Sequence, residues 1–172
     1  VELVLRESSA VVRKAPKILI TRHRLGHVMA NAGIDASNIG SGNGGKVLLL
    51  PLDPDASAAR FADAAEAHFG FRPGVVISDS FGRPWRVGTV NVAIGVAAMP
   101  SIIDQRGQAD RDGRIMQMTM IAVGDAVAAA AGLAMGEGDE GIPAVIVRGL
   151  RLAGEHQTSR AIVRPVDEDL FR

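Results

Sequence analysis

Apolar residues recur along the chain in two spacings, and the alternation between them outlines the elements. Over residues 2 to 14, "ELVLRESSAVVRK", the apolar positions leave a polar face, which predicts an amphipathic helix stopped near Pro16. "KILITRH" (17 to 23) is rich in β-branched residues and predicts a strand, and "GHVMANAG" (26 to 33) continues it as a hairpin or edge strand. The unbroken apolar run "KVLLLPL" (46 to 52) predicts a buried strand. Residues 53 to 70, "DPDASAARFADAAEAHFG", carry helix signals at both ends: Asp55 or Ser57 can cap it, acids lie early, and Gly70 ends it. "PGVVISD" (73 to 79) is a second buried strand with Asp79 at its C-terminal end, so 46 to 79 reads as a βαβ-like unit.

Beyond it, "VGTVNVAIGVAAM" (87 to 99) alternates weakly and predicts a strand, and 104 to 114 is a charged loop. Residues 115 to 135 predict the longest helix, with Gly124 tolerated inside it. A tight acidic turn (136 to 141) and a strand (142 to 150) follow. This irregular mixture predicts an α+β fold, with mixed sheets and flanking helices, rather than a doubly wound sheet. One domain is expected over 1 to 150, with a polar tail or arm over 151 to 172. Because the chain opens without Met on a helix already under way, it is expected to begin inside a longer protein.

Composition narrows the function classes. Nineteen basic and nineteen acidic residues cancel, so no strong field is available to steer nucleic acid or a membrane surface. The absence of Cys excludes disulfides, thiolate metal sites and a cysteine nucleophile, and a cytoplasmic setting is expected. Five Phe, one Trp and no Tyr offer little stacking surface for single-stranded nucleic acid. The Ala-rich run at 126 to 134 is too short and too mild to span a membrane.

Three carboxylates draw attention: Asp35 in "NAGIDASN", Asp79 in "VVISDSFGRPWR" and Glu137 in "GEGDEG". Each sits where a regular element gives way to small residues, which leaves side chains and backbone N–H groups accessible. They can be ordinary turn and capping residues. Alternatively, Asp35, Asn38, Asp79, Ser80 and Glu137 can supply the oxygen ligands that a hard cation on a polyphosphate requires. Arg83 and Arg86 follow Asp79 closely, and Arg106 lies in "DQRG"; their guanidinium forks suit phosphate or carboxylate oxygens. Arg148 is a weaker candidate that also suits a surface ion pair. Trp85 can stack on a ring or serve as a structural wedge. His23, His27, His68 and His156 form no metal-spaced cluster. "GSGNGG" (40 to 45) lacks the Lys-Ser/Thr ending of a Walker A loop, and "SDSFG" is not a nucleophile elbow.

Five segments, in this order and spacing, carry a resemblance: "NAGIDASN", "LLLPLDPDASA", "ISDSFGRPWRVGTVNVAIG", "DQRGQADRDGR" and "LAMGEGDEGIPAVIVRGL". Together they resemble the CofE-type gamma-glutamyl ligases that add glutamate to coenzyme F-420-0. The resemblance implies a GTP-dependent reaction. A lactyl phosphodiester deazaflavin is phosphorylated on its carboxylate, the amine of L-glutamate displaces phosphate, and further rounds form gamma-glutamyl bonds. It also implies two Mg2+ or Mn2+ ions, with K+ as a further ion, and an interlocked homodimer. On the matching positions, Asp35, Asp79, Ser80 and Glu137 are implied metal ligands. Asn38 and the run Leu133, Ala134, Met135, Gly136, Glu137, Gly138, Asp139 and Glu140 are implied nucleotide contacts. Arg83, Arg86 and Arg106 are assigned here to anionic substrate. The family's N-terminal part, which carries further nucleotide contacts, would precede residue 1. A non-catalytic metal- or nucleotide-binding or assembly domain of the same fold is the alternative reading, and a nucleotide hydrolase using the same metals is a third.

Overall fold

The computed structural model describes residues 1–39 and 45–169, so the glycine turn expected at 40 to 45 lies, apart from Gly45, outside the described residues. The first sheet is antiparallel, with strands in the order β1 (Ser8–Ala15), β2 (Ile18–His23) and β3 (Val28–Ala30). The helix expected over 2 to 14 is confined to α1 (Glu2–Arg6). Ser8 and Ser9 weaken helix propagation, and Val11 and Val12 favour the pleat. Ser8 Oγ donates to the Val4 carbonyl at 2.6 Å and closes the short helix. β2 then supplies the hydrogen bonds that a continued helix would have made for itself.

The second sheet pairs β4 (Val75–Gly82) with β5 (Thr89–Ala97), antiparallel, with an irregularity between Ile77 and Ser78. The fold class is α+β, as expected. Residues 46 to 52, however, do not form the buried strand expected before the following helix. They make one antiparallel bridge, Leu48 with Asp35, and Leu48 remains 56% exposed. The partner of β4 is β5, so the βαβ-like pairing is replaced by a hairpin.

Helix α2 (Pro54–Phe69) follows its sequence signals closely. Its cap is Asp53, not Asp55 or Ser57: the Asp53 carboxylate accepts from Ala56 N–H at 2.8 Å, and Gly70 ends the helix in the left-handed region. Asp55 instead reaches outward and accepts from the N–H groups of Val96 and Ser159, both at 2.8 Å. Ala58, Ala62 and Ala65 form the buried stripe of α2, which packs on β4 and β5. Close approach also needs Gly95, where a Cβ would stand 2.4 Å from the Pro54 carbonyl oxygen.

A two-stranded ribbon, β6 (Ile103–Asp104) with β7 (Met120–Ile121), frames the charged loop. Helix α3 (Val123–Met135) therefore starts eight residues later than expected. In the loop, Asp110 accepts from the N–H groups of Asp112 and Arg114, and Gly107 and Gly113 take positive φ. Asp125 of α3 accepts from Ala93 N–H at 2.9 Å. Asp55 and Asp125 thus satisfy backbone donors on the edge of β5 that β4 does not cover. The core gathers Ala93, Val96, Met99 and Val123, with Val76, Ile103, Val127, Leu152 and Ile162 packed around them.

The strand expected at 142 to 150 has no ladder partner among the described residues. The described part of the tail is docked on the body of the fold. Gln157 accepts from Ser101 Oγ and Ile102 N–H, Ser159 Oγ donates to the Ile94 carbonyl, and Arg22 pairs with Asp169 at 3.3 Å. No helix among the described residues is long and apolar enough to cross a membrane.

Candidate active-site cleft

Between β3, the C-terminal half of β4 and the C-terminal end of α3 lies a cavity of about 680 Å³. Three chain segments far apart in sequence line it: Asp35 with Ser37 and Asn38, Asp79 with Ser80, and Met135 through Glu137 with Gly138 and Glu140. Asp35 reaches the cleft because the chain before it takes an unusual path. Asn31, Ala32 and Gly33 all adopt left-handed φ, at 48°, 55° and 66°. Two of these are not glycine, so the tertiary structure holds local strain there. Asn31 Oδ1 accepts from Leu19 N–H at 3.0 Å and anchors the turn to β2. The paired bonds between Asp35 and Leu48, at 2.8 and 3.2 Å, brace the other side.

Each acid has a distinct environment. The Asp35 carboxylate accepts from the Ser37 N–H at 2.8 Å and from its hydroxyl at 2.7 Å, and these bonds hold its pKa below the usual value. Asp79 is pushed the other way, chiefly by burial, and further by the nearby charges of Asp35 and Glu137; the Ser80 N–H offsets part of this. Glu137 Oε2 accepts from Ser80 Oγ at 2.6 Å, and Oε1 accepts from Asn91 Nδ2 at 2.8 Å. Asn38 Nδ2 donates to the Gly138 carbonyl at 3.2 Å, tying the first segment to the third across one hundred positions. Glu140 folds back to accept from Gly138 N–H at 2.9 Å. Gly136 has φ +74°, and a Cβ there would stand 2.1 Å from the Glu140 carboxyl carbon.

Among the described residues no three His, Asp or Glu side chains close on one point as a self-contained metal cage. The donor set still suits magnesium or manganese. Such ions keep several waters and take one or two carboxylates, their coordination being completed by substrate phosphate. Asp35, Asp79, Glu137 and the Ser80 hydroxyl are hard oxygen donors on one cleft.

The other sequence candidates fall elsewhere. Leu133 is 90% exposed, and Leu133, Ala134 and Asp139 do not line the cavity. Arg83 and Arg86 stand on the exposed β4–β5 hairpin tip, beyond Gly82 and Thr89 at the cleft edge. Arg106 is away from the cleft, and its Nε and Nη2 grip Asp104 at 2.9 and 2.6 Å. The pair lies at the surface, and the Arg106 hydrogen bonds pull the Asp104 pKa down to about 2. Arg106 is therefore occupied by its own neighbour instead of presented to the cleft.

Asn91 escaped the sequence reading. It projects from β5, accepts from Ser78 Oγ at 3.2 Å and orients Glu137. Its only signal was a carboxamide inside the apolar strand "TVNVAIG". Gly132 makes room for it, since a Cβ there would lie 2.5 Å from Asn91 Nδ2.

Residues 1–149 match the family model described as F420-0:Gamma-glutamyl ligase. A protein of Methanopyrus kandleri named coenzyme F420:L-glutamate ligase is 45% identical over all of this chain and 69% of its own length. Proteins of the same name from Methanocaldococcus jannaschii and Archaeoglobus fulgidus are 41% and 44% identical, again over the whole chain and over 68% and 67% of theirs. The motif series, the cleft and these matches together place the chain in the F420-0:gamma-glutamyl ligase family.

Proposed function

We propose that this protein is a GTP- and divalent-metal-dependent ligase that joins L-glutamate to a deazaflavin acceptor through an acyl phosphate. The convergence of Asp35, Asp79, Ser80 and Glu137 on one cleft carries the reading. These four would hold magnesium or manganese, which when bound neutralises the triphosphate and its developing charge. Asn38 and the backbone around Gly136 and Gly138 would border the nucleotide. The acceptor carboxylate oxygen attacks the γ-phosphorus of GTP, the β–γ bridging bond breaks, and GDP leaves. The neutral amine of glutamate then attacks the acyl carbon, phosphate departs, and the amine proton is lost as the amide forms. Arg83 and Arg86 suit the anionic acceptor, because their guanidinium forks have no partner among the described residues and can grip phosphate or carboxylate bidentately. Arg106 is not included, given its bond to Asp104. Two such chains are proposed to assemble as a homodimer.

Incubation with GTP, manganese, glutamate and the deazaflavin acceptor, followed by mass spectrometry, tests the reaction. A gain of one glutamyl unit is expected. No gain, with GTP and metal shown to be bound, would overturn ligation in favour of a binding or hydrolase role.

A further inference from the structure

Arg83 to Arg86 make a turn closed by Arg86 N–H on the Arg83 carbonyl at 3.4 Å. Pro84 occupies the first corner and Trp85 the second, where Trp85 has φ +64°. A type II turn requires that sign at its second corner, and the position normally goes to Gly or Asn. A bulky ring there is a conformational outlier. It is also not a wedge: Trp85 is 88% exposed, and no ring contact is recorded for it among the described residues. Neither the Arg83 nor the Arg86 guanidinium has a hydrogen-bond or ion-pair partner among the described residues. The fold thus holds a rigid aromatic face in water, at conformational cost, between two uncommitted cations.

The hairpin leads straight from the cleft. Ser80 is five residues before Trp85, so the Cα atoms of the two are at most roughly 18 Å apart. We infer that Trp85 is the stacking platform for the flat ring of the acceptor, with Arg83 and Arg86 beside it for the anionic arm, so that this tip selects planar, anionic acceptors. This rests on the ligase reading above. In that reading the acceptor's ring and its reacting carboxylate lie at opposite ends of a phosphodiester arm, and the arm would run from the tip to the cleft. Charge complementarity favours this occupant: two unpaired guanidinium groups beside an aromatic face suit an anionic aromatic better than an apolar surface.

Trp85 is the only Trp in a chain without Tyr, so its emission reports this ring alone. Titration of the wild-type protein with the deazaflavin acceptor, corrected for ligand absorption, is expected to quench that emission. Equilibrium dialysis gives the affinity independently. W85A should weaken acceptor binding roughly tenfold to a hundredfold, the range for losing one stacking partner, while W85F retains most of it. W85G is the structural control: its backbone suits φ +64°, so its melting temperature should not fall although acceptor binding does. Manganese–GTP binding should be unchanged in all three. Acceptor that binds without quenching, or with equal affinity to W85A, overturns the inference while leaving the ligase reading intact. Weaker self-association of W85A with unaltered acceptor affinity would overturn it too, assigning the ring to a contact between copies. Failure of the wild-type protein to bind acceptor at all would instead sink the ligase reading on which the inference rests.

Discussion

Substitution of Gly132 by Ala probes how the cleft is held together, and the sign of its effect should depend on residue 91. In a helix, Ala is favoured over Gly by up to about 1 kcal/mol. Here the added methyl would meet Asn91 Nδ2 at 2.5 Å, Cγ at 2.9 Å and Cβ at 3.1 Å. Asn91 is half-buried on β5 and its side chain must swing aside, which breaks its 2.8 Å bond to Glu137 and its 3.2 Å bond from Ser78. A hydrogen bond to a charged group contributes about 1.5–3 kcal/mol. Glu137 is exposed and can rehydrate, which lowers that figure. The expected net loss is about 1 kcal/mol, or roughly 3 °C in melting temperature for a chain of this size. In an N91A background the two closest contacts vanish, and the remaining one at Cβ needs a shift of only a few tenths of an ångström. There G132A should raise the melting temperature by up to about 3 °C. Thermal unfolding of the four proteins of this double-mutant cycle measures the reversal. Equal effects of G132A in both backgrounds would refute the claim that Gly132 exists to admit Asn91. The nucleotide-induced stabilisation should fall in G132A and N91A alike, because both release Glu137.

Three further predictions concern the acid cluster, the arginines and the buried histidines. D79N should abolish the thermal shift given by manganese–GTP, which for wild type at a hundredfold excess over Kd is about 2.7 kcal/mol. Without ligand its stability should not fall, since burial and two neighbouring acids already disfavour the Asp79 charge; a retained shift in scanning fluorimetry would contradict the assignment. R83K should lower kcat/KM at least tenfold because a point charge cannot replace a planar fork, whereas R106K, already paired within its own loop, should stay within twofold; steady-state kinetics on the two variants decides between the arginines. Burial lowers the pKa of both His23 and His27 below 6.5 in the fold, so below pH 6.5 the unfolded chain binds more protons. Stability should therefore drop as pH falls from 6.5 towards the folded values, and urea midpoints that do not change between pH 7 and 5.5 would contradict this.

Local chemistry was legible where the chain itself supplies the partners. Helix α2 carries its acids, its alanine stripe and its terminal Gly70 within one stretch, and only the capping residue moved, to Asp53. The strands β2, β4 and β5 were foreseen from branched apolar runs for the same reason. Asp35, Asp79, Ser80 and Glu137 stood out as acids and a hydroxyl beside small residues, although Asp79, expected at the end of a strand, lies with Ser80 inside β4, which runs on to Gly82. The sequence could not decide pairing. Residues 8 to 15 have enough amphipathic character for a helix, and they become a strand because β2 offers a ladder. Residues 46 to 52 have the apolar run of a buried strand, yet β4 is taken by β5, and one bridge to Asp35 is what remains. Residues 115 to 122 lose their helix to a ribbon with the other side of the charged loop. Arg106 looked available until Asp104 closed on it. Asn91 was passed over in the sequence, and its role is set by Glu137, which follows α3 and accepts its hydrogen bond. In each case the sequence set what a segment was able to do. The choice among those possibilities lay with a partner many positions away, because ladder bonds, ion pairs and packing are contacts in space and leave no periodic mark in the chain that receives them.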